Sequence, residues 1–255
     1  MKYDAFQQII DTMRASNYDY EKEIEEIEKK QNAFKVANCE EAGLSAHIRA
    51  MIYALLSNNR KWEPIAENSE LIDKIFGNYD PVYLKNTNPQ IFINKIKEIR
   101  CGNRQINNQM RFLKVNIETL EKIEREHGSI NNYFKKEDEI TIIKSLSDYN
   151  GNYKLKWMGI PLVCEYVKGF GIEVVKPDSL IRRLVTRLGY SNKKLATEWE
   201  TIDICKEIGK EYGMKQILVD TILWQYCAKD KFELCTAEPK CDQCKVVNCK
   251  YKTAR

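Results

Sequence analysis

The sequence predicts an all-α protein, and three observations predict it. Apolar residues recur at helical spacing wherever a period is legible. No segment alternates apolar and polar residues between hairpin turn signals. Prolines and one Asn-Gly-Asn group punctuate the chain at intervals that suit helices. The chain has 255 residues, 43% of them hydrophobic, enough for a substantial core in one large or two modest domains.

Near the N-terminus, Tyr20, Ile24 and Ile27 share one helical face, and residues 21–30 form a stretch of acidic and basic side chains. That stretch reads as a solvated helix face with local ion pairs. Ile106, Met110, Leu113, Ile117 and Leu120 are spaced alternately by four and three residues, which predicts one long helix ending near Gly128. Pro64, Pro81, Pro89, the Asn150-Gly151-Asn152 group and Pro177 divide the chain into about ten helical pieces. There is no internal repeat and no low-complexity linker.

The first 20 residues hold no apolar signal core, and the longest apolar run, residues 50–56, is too short to cross a bilayer. The expectation is a soluble, cytoplasmic protein with no membrane partner. Lys and Arg number 41 against 37 Asp and Glu, a net charge of +4. This is too small by itself to demand a polyanionic partner, so the placement of charge has to carry that argument.

Nine cysteines are present. Cys39, Cys101, Cys164, Cys205 and Cys227 stand singly, while Cys235, Cys241, Cys244 and Cys249 crowd into the last 21 residues with spacers of five, two and four. An odd count without a signal peptide argues against a disulfide framework. Four thiolates so close can reach one centre if the loop wraps around it, and soft sulfur donors favour zinc or an iron–sulfur cluster. Structural zinc commonly uses two CxxC knuckles, whereas this loop has one CxxC with a single cysteine on either side. Both metals, and unligated thiols, stay open on the spacing alone.

The Cys235-Thr236-Ala237 opening, Pro239 ahead of Cys241, and the Cys249-Lys250-Tyr251-Lys252 close resemble the C-terminal cluster loop of endonuclease III and the MutY adenine glycosylases. The family's first and third spacers are each one residue longer. The resemblance implies a structural [4Fe–4S] cluster held by Cys235, Cys241, Cys244 and Cys249. It also implies a loop that turns basic side chains to DNA phosphates, here Lys240, Lys245, Lys250, Lys252 and Arg255, with Lys245 and Lys250 as the leading contacts.

Residues 155–190 resemble that superfamily's helix-hairpin-helix motif and the catalytic aspartate segment after it. Gly159 matches the second glycine of the hairpin and Trp157 stands where the first is expected. Trp157, Met158 and Gly159 are therefore the implied DNA-binding turn, with ordinary packing as the alternative for Trp157. Glycine in such a turn permits backbone amides to approach a phosphate closely. Phe170-Gly171 precedes Asp178 at the family's distance. On the residues alone, Pro177-Asp178-Ser179 is an N-cap. The resemblance adds that the same carboxylate faces the extruded nucleotide and stabilises positive charge developing on the sugar.

Members that also cut the strand carry a lysine just after the hairpin. Pro161, or Ile160 or Leu162 with a one-residue shift, occupies that place here, and none has an amine. Water becomes the expected nucleophile, with Lys154, Lys156 and Lys168 as candidates for a relocated amine. In the N-terminal half, residues 54–59 resemble the stretch before the lesion-facing loop. Asn59 falls on the residue that fills the gap left by the extruded base, although two asparagines at a helix end are also an ordinary C-terminal turn. Residues 100–111 resemble the turn that leads into the next helix.

The resemblance runs from about Leu44 to Tyr251. It implies two helical lobes with a DNA groove between them. The expected divisions are an N-terminal extension (1–39) packing on the cluster lobe, a central domain ending in the hairpin (40–172), and the aspartate helix with the cluster domain (173–255). The implied activity is removal of a damaged or mismatched base from double-stranded DNA by a monomer. A glycosylase with lyase activity and a non-enzymatic damaged-DNA binder are the rivals. The base itself is not legible.

Overall fold

The computed structural model describes residues 2–22, 24, 25, 42–229 and 231–253. Ile27, Cys39 and Arg255 lie outside these residues. The described chain is all-helical, as expected, with no strand among the described residues. In chain order the helices are α1 (Asp4–Ala15), α2 (Leu44–Leu56), α3 (Glu63–Glu67), α4 (Ser69–Ile75), α5 (Pro81–Asn86), α6 (Pro89–Glu98), α7 (Ile106–Arg111) and α8 (Leu113–His127). They continue as α9 (Ile130–Lys136), α10 (Glu139–Ser147), α11 (Ile160–Lys168), α12 (Ser179–Arg187), α13 (Glu198–Tyr212), α14 (Gln216–Cys227) and α15 (Lys250–Thr253). These pieces outnumber the ten read from prolines, because Asn68, Phe112 and Asp138 also mark boundaries. No helix among the described residues is long and apolar enough to cross a membrane.

Two compact units form, Ala33–Ile172 and the combination of Met1–Asn32 with Glu173–Arg255. The central unit is built on α2, which packs against α8 and α11 and buries Ile48, Met51, Ile52, Leu55 and Leu56 completely. Each such side chain contributes roughly 1.5–3 kcal/mol on burial. His47 is buried beside them, with Nδ1 2.9 Å from the Tyr166 hydroxyl, Nε2 3.1 Å from Asn131 Oδ1, and its ring stacked 3.8 Å from that of Phe170. Burial lowers its pKa to about 4, so the imidazole is neutral.

The long helix expected over residues 106–128 is two helices. Phe112, at φ −98° and ψ 4°, leaves the helical region between α7 and α8, yet all five apolar residues of the pattern stay buried. The periodicity therefore reports the buried face across a break that it cannot locate. The far end is where it was expected, at Gly128 with φ +80°. Side-chain caps open several helices in both units, from Asp80, Asn88, Ser129, Asp138, Asp178 and Thr197, each worth about 1 kcal/mol.

The terminal unit joins both ends of the chain. Phe6, Ile9 and Met13 of α1 share a core with Ile181, Leu184 and Val185 of α12 and with Ile222, Leu223 and Tyr226 of α14. Helix α1 also holds the cysteine loop. Lys245 N donates to Thr12 Oγ1 (3.2 Å) and Val247 N to Gln8 Oε1 (2.9 Å). Of the expected solvated face, Glu21 pairs with Arg14 at 2.7 Å on the surface, while Tyr20 is buried.

Candidate DNA-binding and catalytic site

The hairpin turn of the central unit ends at Gly159, the extended N-cap of α11, with Pro161 in the first turn. Its left-handed residue is Trp157, at φ +62°. The conformation that glycine favours is thus taken by a tryptophan, at a cost of about 1–2 kcal/mol. Gly159 itself has φ −83°, and a Cβ there would meet nothing nearer than Pro161 Cδ at 3.9 Å. The freedom assigned to Gly159 from sequence is therefore used two residues earlier, and the space in front of Gly159 is open.

Asn116 of α8, wholly buried, holds this turn. Its Nδ2 donates to Lys156 O at 3.0 Å and its Oδ1 accepts from Lys156 N at 2.6 Å. Lys154 Nζ donates to Ser147 O (2.5 Å) and Met158 O (2.6 Å), and burial lowers its pKa. Trp157 is 44% exposed, whereas the Met158 side chain is wholly buried. Met158 was expected as part of the DNA-binding turn. Its side chain serves the core, so only its backbone is available in the turn.

At the other end of α2, Asn59 is exposed with φ +49°, its Nδ2 3.3 Å from Asn58 Oδ1. The adjoining loop is tied down by Arg60 Nη1, which donates to Gly102 O at 2.6 Å. Asn103 Nδ2 donates to the carbonyl of Leu55 at 2.8 Å, which also accepts from Asn58 N, and to Gln109 Oε1 at 3.0 Å. Residues 58–60 and 100–104 are thereby brought together, with Arg100 and Arg104 exposed beside them.

In the terminal unit, Asp178 caps α12. Its Oδ1 accepts from Leu180 N (2.8 Å) and Ile181 N (3.2 Å). Both bonds fall on the same oxygen of a half-buried carboxylate. The cap fixes the side chain through Oδ1 alone.

The cysteine loop follows α14. Cys235 Sγ accepts from Arg187 Nη1 at 3.4 Å, Cys249 Sγ donates to Arg187 O at 3.2 Å, and Cys244 Sγ lies 3.0 Å from the Tyr226 hydroxyl. The wholly buried Cys227 beside it holds the Cys235 thiol below the usual range, while burial pushes Cys227 up. Cys241 opens a short 3₁₀ turn ending at Gln243. The sulfurs of Cys235, Cys244 and Cys249 thus meet Arg187 and Tyr226, although no group of three or more His, Cys, Asp or Glu stands in metal-holding geometry among the described residues. Four thiols stand on one loop, Cys235 and Cys244 against those two side chains and Cys249 against the Arg187 backbone carbonyl, and by chemistry they are the soft donor set that an iron–sulfur cluster takes. Lys245 and Lys250 are exposed on this loop.

Several partners were missed from sequence. Asn116, Arg187, Tyr226 and Cys227 carry no local motif, and Cys227 read as one of the scattered thiols.

No family model and no curated protein matches the chain. Among solved structures it is similar to the 8-oxoguanine glycosylase/lyase of Methanocaldococcus jannaschii in complex with a 15mer DNA containing 8-oxoguanine. The TM-score is 0.59 at 18% identity, covering 87% of this chain and 95% of that one. At this identity the likeness establishes the fold. The chain shares the all-helical fold of that protein.

Proposed function

We propose that the protein is a DNA glycosylase of base-excision repair, acting on double-stranded DNA that contains a damaged or mismatched base. The observation that carries the reading is Asp178, a half-buried carboxylate fixed by its own helix cap, in a fold of glycosylase type. The glycosidic carbon is out of reach in stacked duplex, so the target nucleotide is extruded first. The Asp178 carboxylate then stabilises positive charge on the sugar as the base departs, and orients the water that attacks the anomeric carbon. The central unit supplies phosphate contacts through the Trp157–Gly159 turn, and Asn59 takes the gap in the stack. Lys245 and Lys250 add register without reading sequence.

Cys235, Cys241, Cys244 and Cys249 are the residues that would hold a [4Fe–4S] cluster. Such a cluster would serve as a structural cross-link of the loop. Anaerobically purified protein is expected to be brown with stoichiometric iron and sulfide, and Cys241→Ser to lose both. Colourless protein with one equivalent of zinc overturns the assignment.

The test of function is a panel of duplexes with single lesions, 8-oxoguanine first on the strength of the structural likeness. Release of a free base supports the reading, and binding without release reduces the protein to a damage-binding module. With Ile160, Pro161 and Leu162 lacking an amine, the proposed enzyme is a monofunctional monomer whose product breaks only under added alkali. The lyase activity of the structural neighbour favours one second reading. Lys154 is held by two carbonyls and Lys168 lies 3.1 Å from Glu165. Exposed Lys156 is then the amine to test, by borohydride trapping with Lys156→Ala as control.

A further inference from the structure

We propose that Arg187 is the positioning residue that closes the cysteine loop, gathering its two ends before any cluster is bound. The proposal rests on the cluster reading only for its second readout. At the start of the loop, the guanidinium donates through Nη1 to Thr236 O (2.5 Å) and Cys235 Sγ (3.4 Å), and through Nη2 to Ala237 O (3.0 Å). At the end of the loop, the Cys249 thiol donates to the Arg187 carbonyl at 3.2 Å, and the Tyr251 ring lies 4.4 Å from Cζ. One residue therefore touches positions 235–237 and 249–251, fourteen residues apart between the outer cysteines.

Local sequence puts it there. Arg187 is the last residue of α12, so its carbonyl has no partner within the helix and is free to accept the thiol. Gly189 turns the chain away at φ +82°, and Lys250 Cβ approaches to 3.7 Å from where a Cβ would stand there. A lysine keeps the charge but cannot span three acceptors, because the planar fork is what holds two carbonyls and a sulfur at once. Arg182, on the same helix, shows the contrast, since its side chain bonds Ala196 O and Glu198 instead. A fixed cation that donates to a ligand sulfur also offsets negative charge on a cluster, and hydrogen bonds to sulfur and local charge set the potential of such centres.

The experiment compares wild type, Arg187→Lys and Arg187→Met as full-length chains, with Tyr251→Leu as a milder variant should Arg187→Met fail to fold. The first readout is amide hydrogen exchange in metal-free protein. Arg187→Met is expected to speed exchange at residues 235–237 and 249–252 by about 10-fold or more while the α14 core is unchanged, with Arg187→Lys intermediate. Equal exchange in all variants overturns the clasp. The second readout uses protein reconstituted with ferrous iron and sulfide. Arg187→Met is expected to release iron to a chelator about 10- to 100-fold faster and to lower the reduction potential, with Arg187→Lys recovering part of the potential shift but not the retention. A potential unmoved by Arg187→Met overturns the sulfur contact. If wild-type protein takes up no iron, the cluster reading fails, and the clasp stands or falls on exchange alone.

Discussion

The Asn116 side chain grips the Lys156 peptide from both sides, donating to its carbonyl at 3.0 Å and accepting its amide proton at 2.6 Å. Forty positions separate the two residues, so a core helix dictates the backbone of the hairpin turn. Asn116→Ala leaves a partly buried peptide group without these partners and is expected to cost about 2 kcal/mol. Thermal melting measures that loss. DNA affinity should fall further than in a variant of equal stability cost elsewhere in the core.

The left-handed φ of Trp157 separates two substitutions that ordinarily behave alike. Trp157→Gly and Trp157→Ala both remove the indole, but only glycine relieves the backbone. The glycine variant is expected to be the more stable by about 1 kcal/mol. Alanine equal to or better than glycine in chemical denaturation contradicts a strained turn.

For Asp178, shape and charge can be parted. Asn also caps helices, so Asp178→Asn should melt within about 1 kcal/mol of wild type. Single-turnover base release should nevertheless fall by orders of magnitude with lesion binding nearly intact. If the variant unfolds with no separate loss of turnover, the residue is a cap alone.

His47 makes stability depend on pH. Its folded-state pKa, about 4, lies below the ordinary value of 6.5 because the ring is buried. The unfolded chain therefore binds the extra proton between those values, and stability is full above about pH 6.5 and falls as pH drops towards 4. The loss is roughly 2–3 kcal/mol. Melting curves from pH 7 to pH 4 should show a slope that His47→Gln flattens.

The exposed Lys245 and Lys250 predict the salt response of DNA binding. Replacing both with alanine should reduce the slope of log K against log salt by roughly 1–2, without changing which lesion is preferred. An unchanged slope means the loop does not meet phosphate.

Much of this architecture was legible beforehand because its causes are local. Helix periodicity marked the buried faces, Pro177-Asp178-Ser179 announced a cap, and Gly128 announced an end. The break at Phe112 was hidden, since the apolar spacing continues through it. The burial of the Met158 side chain was also hidden, because the motif resemblance runs along the chain and carries no information on which side of the turn the core lies.

What the sequence by itself determined was the helical class, the caps and the cysteine set, all governed by residues within a turn or two of one another. Only the tertiary structure decided that Trp157 takes the left-handed position, that Asn116 holds the hairpin, and that Arg187 and Tyr226 meet the sulfurs of the loop. Those contacts join residues 18 to 62 positions apart. Such pairs form when packing brings their elements together, and nothing in the local chain energetics selects them.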